Sequence, residues 1–212
     1  MRKGILFCII GPAGGGKTSI GDKLLSDNDG HLSQSVSVTS RAMRLGEENG
    51  KSYTFITRAE FEAKIKADYF FEWEEVHGNL YGTPRENLEN AVSAGRDLLL
   101  IIDIRGALNV KKSFSADCVI VTILPPSFDA LVERIKSRGA VSESELSSRM
   151  ATARSEYEKI RELSASGEYL DYLVINGELK AAAEQVRCIL RSERLRMRRL
   201  NPSSIHSLCE VR

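Results

Sequence analysis

Ile5-Leu6-Phe7-Cys8-Ile9-Ile10-Gly11-Pro12-Ala13-Gly14-Gly15-Gly16-Lys17-Thr18 decides how the rest of this chain is read. The apolar run Ile5 to Ile10 does not alternate with polar residues, which suits a strand covered on both faces of a parallel sheet. Gly11 to Thr18 then satisfies the P-loop spacing, and the helix-like run Ser19 to Leu25 follows directly. Strand, glycine-rich loop and helix in that order give the motif its specificity. Glycines let the backbone curl so that several amide hydrogens point inward, the helix amino terminus adds positive potential, and Lys17 can bridge outer phosphates. Thr18 is the expected Mg2+ ligand, and Ser19 completes the expected nucleotide-contacting set. The alternative, a glycine-rich turn with an incidental lysine, does not explain the flanking strand and helix.

Three more apolar runs, Leu98 to Ile102, Cys118 to Leu124 and Leu170 to Ile175, are separated by helix-like segments. Together with the first they predict an α/β fold, a parallel sheet flanked by helices. Thr83-Pro84-Arg85-Glu86 reads as a capping box with proline at the first helical position, and Ser142-Glu143-Ser144-Glu145 repeats the box. Leu88 and Val92 share one face of the first helix; Leu146, Met150, Ala153 and Tyr157 share one face of the second. Between about Val36 and Tyr81 the pattern changes to short alternating pieces punctuated by Gly46, Asn49-Gly50 and Gly78-Asn79, which predicts a small β-rich insertion. Ser137 to Glu145 is polar, contains Gly139 and lies between helices, as a mobile lid would. The expected organisation is one domain: core 1–35, 84–136 and 150–200, insertion 36–83, lid 137–149 and basic tail 200–212. Arginines at 191, 194, 196, 198 and 199 predict a helix continuing with a solvated basic face.

The totals exclude several classes. A chain of 212 residues with 42% hydrophobic residues can bury a full core. Thirty basic residues against 29 acidic leave a net charge of +1, so no global basic field points to nucleic acid, and phosphate-binding charge has to be local. Cys8, Cys118, Cys188 and Cys209 lack the spacing of a zinc or redox motif, and His31, His77 and His206 are scattered, which argues for reduced thiols in a cytoplasmic protein and against a zinc enzyme. Met1-Arg2-Lys3 and the apolar run imitate a signal peptide, but the run is brief and leads into glycines and a lysine. No other stretch approaches the roughly 20 apolar residues of a membrane span, so no membrane partner is expected. A homo-oligomer stays open.

A P-loop by itself leaves GTPases, motors and small-molecule kinases open. The chain leaves little room for a motor's partner domain, and it has no Asn-Lys-x-Asp segment with which a GTPase reads its base. The remaining segments narrow the choice. Ser37-Val38-Thr39-Ser40-Arg41-Ala42-Met43-Arg44-Leu45-Gly46-Glu47, Asn49-Gly50-Lys51-Ser52-Tyr53, Phe71-Glu72-Trp73 and Gly78-Asn79-Leu80-Tyr81-Gly82-Thr83 resemble, in order and spacing, the GMP-binding segments of guanylate kinases. The likeness runs from about Gly4 through Met197.

That resemblance implies a P-loop kinase core, a GMP-binding insertion and a lid, with ATP as phosphoryl donor, Mg2+, and GMP as acceptor. It implies that Arg41, Arg44, Tyr53 and Tyr81 hold the GMP phosphate, while Glu72, Ser37, Thr83 and Asp103 meet the base. The chemistry is sensible on its own terms. Guanidinium forks suit a phosphate dianion, and a carboxylate at Glu72 matches the adjacent N1–H and amine donors of guanine, whereas adenine would set an acceptor against it. Asp103, at the carboxyl end of a strand, could face guanine or the magnesium shell, or cap a helix. Arg134, Arg138 and Arg149 resemble the lid arginines that close over ATP; with Lys17 and Arg41, Arg138 and Arg149 form the expected catalytic set.

Family members usually have an aspartate two residues before the position of Asp103, where this chain has Ile101; Met43 replaces a proline, and Arg105 stands where glutamine is common. Two rivals remain at this stage: a non-catalytic guanylate-kinase-like module that binds a peptide, and a kinase of the same fold acting on another phosphorylated acceptor such as a ribose bisphosphate. The intact Gly16-Lys17-Thr18 argues against the first, and Glu72 with Tyr53 and Tyr81 against the second.

Overall fold

The computed structural model describes residues 2–27, 30–44, 46–76, 78–137, 143–167 and 169–200. Arg138, Gly139, the cap at Ser142, His77, His206 and Cys209 lie outside the described residues.

Strand β1 (Leu6–Ile10) is buried along its whole length and forms the middle of a five-stranded sheet. Its neighbours are β7 (Asp97–Ile101) and β8 (Cys118–Leu124); β2 (Leu32–Gln34) and β9 (Tyr172–Ile175) form the edges, and every pairing is parallel. Side chains of a strand alternate between faces, and both faces of β1 are packed. Phe7 and Ile9 meet Ile20 and Leu24 of α1 (Lys17–Ser26) and Val186 and Leu190 of α7 (Leu179–Arg194). Leu6, Cys8 and Ile10 belong to the opposite cluster, with Leu88 and Ala91 of α3 (Arg85–Ser93), Ala107 and Val110 of α4 (Ile104–Phe114) and Ile160 of α6 (Glu143–Ser166). The expected parallel sheet flanked by helices is therefore what forms, although the three residues of β2 are too short to stand out from sequence. Helix α5 (Phe128–Lys136) packs Leu131 and Ile135 on Ala153, with Leu146 and Tyr157 alongside, so three residues of the stripe predicted for α6 join this cluster while Met150 is not among its members.

Residues 38–84 carry a second sheet in the order β4-β3-β6-β5, from β3 (Val38–Thr39), β4 (Thr54–Phe55), β5 (Phe70–Val76) and β6 (Asn79–Pro84). It is not purely β: α2 (Arg58–Lys66) starts at a capping box in which Thr57 accepts from the Glu60 amide and Glu60 accepts from the Thr57 amide. Phe61 of α2 stacks on Phe70 with ring centroids 4.3 Å apart, and Gly82 is required beneath them because a Cβ there would come within 2.8 Å of the Phe70 ring.

Two sequence expectations need correction. Thr83 does not cap α3; Pro84 takes the cap position without a side-chain bond, because Thr83 lies in β6 and its hydroxyl is bound to Glu72. The arginine-rich segment is not simply a solvated face either. Helix α7 ends at Arg194, Arg199 is fully buried against Glu193 at 2.8 Å, and Arg194 reaches buried Asp97 at 2.7 Å. Burial alone would raise the Glu193 carboxyl, but bonds from Arg199 and Tyr172 outweigh it and lower it.

Candidate active site

The loop after β1 emerges at the carboxyl end of the parallel sheet, where open α/β sheets bind ligands. Its curl depends on left-handed glycines. Gly14 has φ +86° against Leu131 and Ile135, and Gly16 has φ +93° where a Cβ would overlap the side-chain nitrogen of Asn176. The Gly15 amide donates to the Pro12 carbonyl at 2.9 Å. Gly16 caps α1 with no side-chain bond, and the first turn of α1 holds no acidic residue, which leaves a helix amino terminus suited to an anion. Lys17 Nζ donates to the Gly11 carbonyl at 2.6 Å and to that of Pro12 at 3.1 Å, so its ammonium lies back along the loop.

Thr18, at the start of α1, opens on a cleft of about 620 Å3 also lined by Asp22, Ser37, Glu47, Tyr53 and Ile101. The structure thus brings the phosphate loop and part of the predicted acceptor set onto one space. Beside it Arg41 is held by Glu47 at 2.7 Å, lies 5.7 Å from the Tyr53 ring centroid and bonds Tyr81. The bond to Glu47 raises the Arg41 guanidinium further, and the same bond lowers the Glu47 carboxyl. Burial pushes the Tyr53 hydroxyl up, so it stays a donor. Arg44 is exposed; its backbone amide donates to Glu47 at 2.7 Å.

Of the residues expected to meet the base, Glu72 and Asp103 line a depression of about 370 Å3 between β5 and the start of α4, and Thr83 of β6 reaches it through Glu72, whereas Ser37 lines the cleft at Thr18 instead. Glu72 Oε1 accepts the Thr83 hydroxyl at 2.5 Å, and burial raises the Glu72 carboxyl. Asp103 caps α4, accepting the Gly106 amide at 2.6 Å. Glu74, two residues along the same face of β5 as Glu72, is pushed up to about 7, first by a hydrogen bond shared with Asp103 and then by burial; Arg105 stands 3.7 Å away. A larger hollow of about 970 Å3 between Arg2, Val92, Phe114 and Met197 contains none of these groups, so size does not pick the site.

Among the lid candidates, Arg134 donates to the carbonyls of Asn176 at 2.8 Å and Gly177 at 3.2 Å, while Arg149 is exposed on α6. Four neighbours escaped the sequence reading: Glu47, Glu74, Asn176 and Glu156. Asn176 donates to the Gly15 carbonyl at 2.9 Å and so props the loop. Its position, at the carboxyl end of an apolar strand and before Gly177, is a signal that could have found it. Glu156, on a polar stretch of a long helix, offers none.

The Thr18 hydroxyl and the Asp22 carboxylate, both on this cleft, are the oxygen donors that a hard divalent cation takes. Among the described residues no group of three or more His, Cys, Asp or Glu side chains is placed to hold one, so such an ion would depend on the ligand's own phosphates.

A glycine-rich phosphate loop after a central parallel strand, beside a second sheet carrying arginines, tyrosines and a half-buried carboxylate, is the arrangement of a P-loop kinase. The guanylate kinase family model matches residues 3–193, and the chain belongs to that family. It is 41% identical over 200 residues to a guanylate kinase of Syntrophomonas wolfei, covering 94% of this chain and 98% of the relative. A guanylate kinase of Thermotoga maritima is 43% identical over 197 residues, covering 93% and 91% of the two chains. The crystal structure of guanylate kinase from Anaplasma phagocytophilum superposes with a TM-score of 0.74 at 31% identity, covering 94% of this chain and 90% of that one. Among the described residues, no helix is long and apolar enough to cross a membrane.

Proposed function

We propose that the protein is an ATP:GMP phosphotransferase of the cytoplasm, in which the acceptor's phosphate is held by Arg41, Arg44, Tyr53 and Tyr81 and its base is read by Glu72 with Thr83, Ser37 and Asp103. The observation that carries this is the shared cleft. The phosphate loop opens through Thr18 on the same space as Ser37 and Tyr53, so a donor phosphate and an acceptor phosphate can meet there.

The GMP phosphate is already anionic, so no general base is needed. One of its oxygens attacks the γ-phosphorus of ATP, a P–O bond forms, the bond from γ-phosphorus to the β–γ bridging oxygen breaks, and its electron pair leaves with ADP; the other product is GDP. Lys17 and the loop amides hold the donor phosphates, and Arg149 with Arg138 supplies positive charge as the lid closes. Mg2+ would be held at the Thr18 hydroxyl, with Asp103 the second candidate oxygen, and would neutralise phosphate charge when bound.

A coupled ADP-release assay offering GMP, AMP, UMP and ribose bisphosphate tests this. Turnover with GMP, lost in Lys17→Ala and selectively impaired in Glu72→Gln, is the expected result. Folded protein that binds GMP yet turns over no acceptor would favour the peptide-binding module instead.

A further inference from the structure

The phosphate loop already has a carboxylate on it. Glu156 of α6 is half-buried, and its Oε2 accepts the backbone amide of Ala13, inside the loop, at 3.3 Å. Burial pushes the Glu156 carboxyl up, and the attraction of Lys17 works in the opposite direction. A neutral amide side chain could accept the same hydrogen bond, so the fold of the loop does not require an anion here. The donor's phosphates need the same amides and the same lysine. Glu156 shares α6 with one of the expected lid arginines. Arg149 lies seven residues earlier on α6, two turns along the same face, and Ala153 between them is buried against Leu131 and Ile135.

We propose that Glu156 is a positioning residue of the donor site: its carboxylate competes with the donor's phosphates for the loop amides and Lys17, so that a bound polyphosphate displaces it. The proposal rests on the reading of Gly11 to Ser19 as the donor-phosphate site. Its signature is that the competition scales with ligand charge, which a purely structural contact would not produce.

The experiment is calorimetric titration, without divalent metal, of adenosine, ADP, ATP and inorganic tripolyphosphate into wild type, Glu156→Gln, Glu156→Asp and Lys17→Ala. Glu156→Gln keeps the hydrogen-bond acceptor and removes the charge. It should bind ATP and tripolyphosphate on the order of tenfold more tightly than wild type, the size of one screened charge contact. ADP should gain less and adenosine nothing. Glu156→Asp, whose shorter carboxylate sits farther from the loop, should fall between, and it keeps the test open if the glutamine variant does not fold. Unchanged or weaker polyphosphate binding in Glu156→Gln, or a gain equal for adenosine and ATP, overturns the proposal. The two levels separate cleanly. If Lys17→Ala abolishes tripolyphosphate binding while Glu156→Gln leaves it unchanged, only the role of Glu156 fails; if Lys17→Ala binds tripolyphosphate as wild type does, the donor-site reading fails with it.

Discussion

Glu72 and Glu74 lie two apart on one strand face, yet their surroundings give them different work. Glu72 is half-buried and accepts the Thr83 hydroxyl at 2.5 Å, so a ligand that leaves its other oxygen unpaired forfeits a partly desolvated contact. Glu72→Gln replaces one acceptor oxygen with a donor that opposes guanine, and kcat/KM for GMP should fall by about 10² to 10⁴. Thr83→Val removes only the supporting bond and should cost about tenfold. A larger loss from Thr83→Val than from Glu72→Gln would mean that the hydroxyl, not the carboxylate, reads the base. Glu74 bears on stability instead. The folded protein keeps its proton up to about 7, whereas the unfolded chain releases it near about 4.3. Between those values the folded state binds more protons, so this contribution to stability is complete below the lower pH and is lost as pH rises through the upper one. Glu74→Gln cannot ionise and should escape that loss, gaining up to about 1 kcal/mol over wild type at pH 8.5 and nothing at pH 4, because the half-exposed group is screened. Urea unfolding at the two pH values measures the difference; a gain at low pH instead would reverse the sign and refute the assignment.

Elements bring together what the sequence keeps far apart. The turn between β9 and α7 reaches the phosphate loop through Asn176, whose amide bonds the Gly15 carbonyl at 2.9 Å, 161 residues away in the chain. Asn176→Ala should loosen the loop and raise KM for ATP several-fold, as the loss of one buried bond implies, while KM for GMP stays within about twofold. Steady-state titration of each substrate separates the two, and an equal rise in both would move Asn176 from the loop to the whole fold. The loop itself was legible because its spacing, strand and helix are all local. So were three of the other four strands of its sheet, since continuous apolar runs mark strands buried on both faces. What escaped depends on distance or on competition for one group. Thr83 has a cap's sequence context, but the hydroxyl goes to Glu72 on the adjacent strand, and only the pairing of β5 with β6 reveals that. Ile101 is the converse case: it departs from the family's aspartate, and the structure shows its side chain packed toward Gly21 of α1, where a Cβ would come within 2.6 Å of it. An apolar residue there joins the sheet to the helix that starts with Lys17.

At the scale of the whole molecule the catalytic ends of the strands are separated from a charged clasp at the opposite ends. Asp97, the first residue of β7, is fully buried and accepts four bonds: from Arg2 at 2.6 and 2.7 Å, from the Ile5 amide at 3.0 Å and from Arg194 at 2.7 Å. One carboxylate thus ties the segment before β1, the strand beside it and the end of α7. Removing the anion leaves two half-buried guanidinium groups and a buried amide without it, a loss of about 3–5 kcal/mol for a broken buried pair. For a chain of this size that lowers Tm by on the order of 10 °C in Asp97→Ala. Turnover with GMP at 20 °C should stay within about twofold of wild type, because Asp97 does not line the cleft. Thermal melts and initial rates on the same preparation give both numbers. A melting point within about 2 °C of wild type would mean that the arginines rehydrate at little cost and that the apolar clusters alone hold the chain ends. A large loss of turnover in protein that still melts cooperatively would mean instead that the clasp sets the position of β7, and through Ile101 and Asp103 the geometry of the site at its far end.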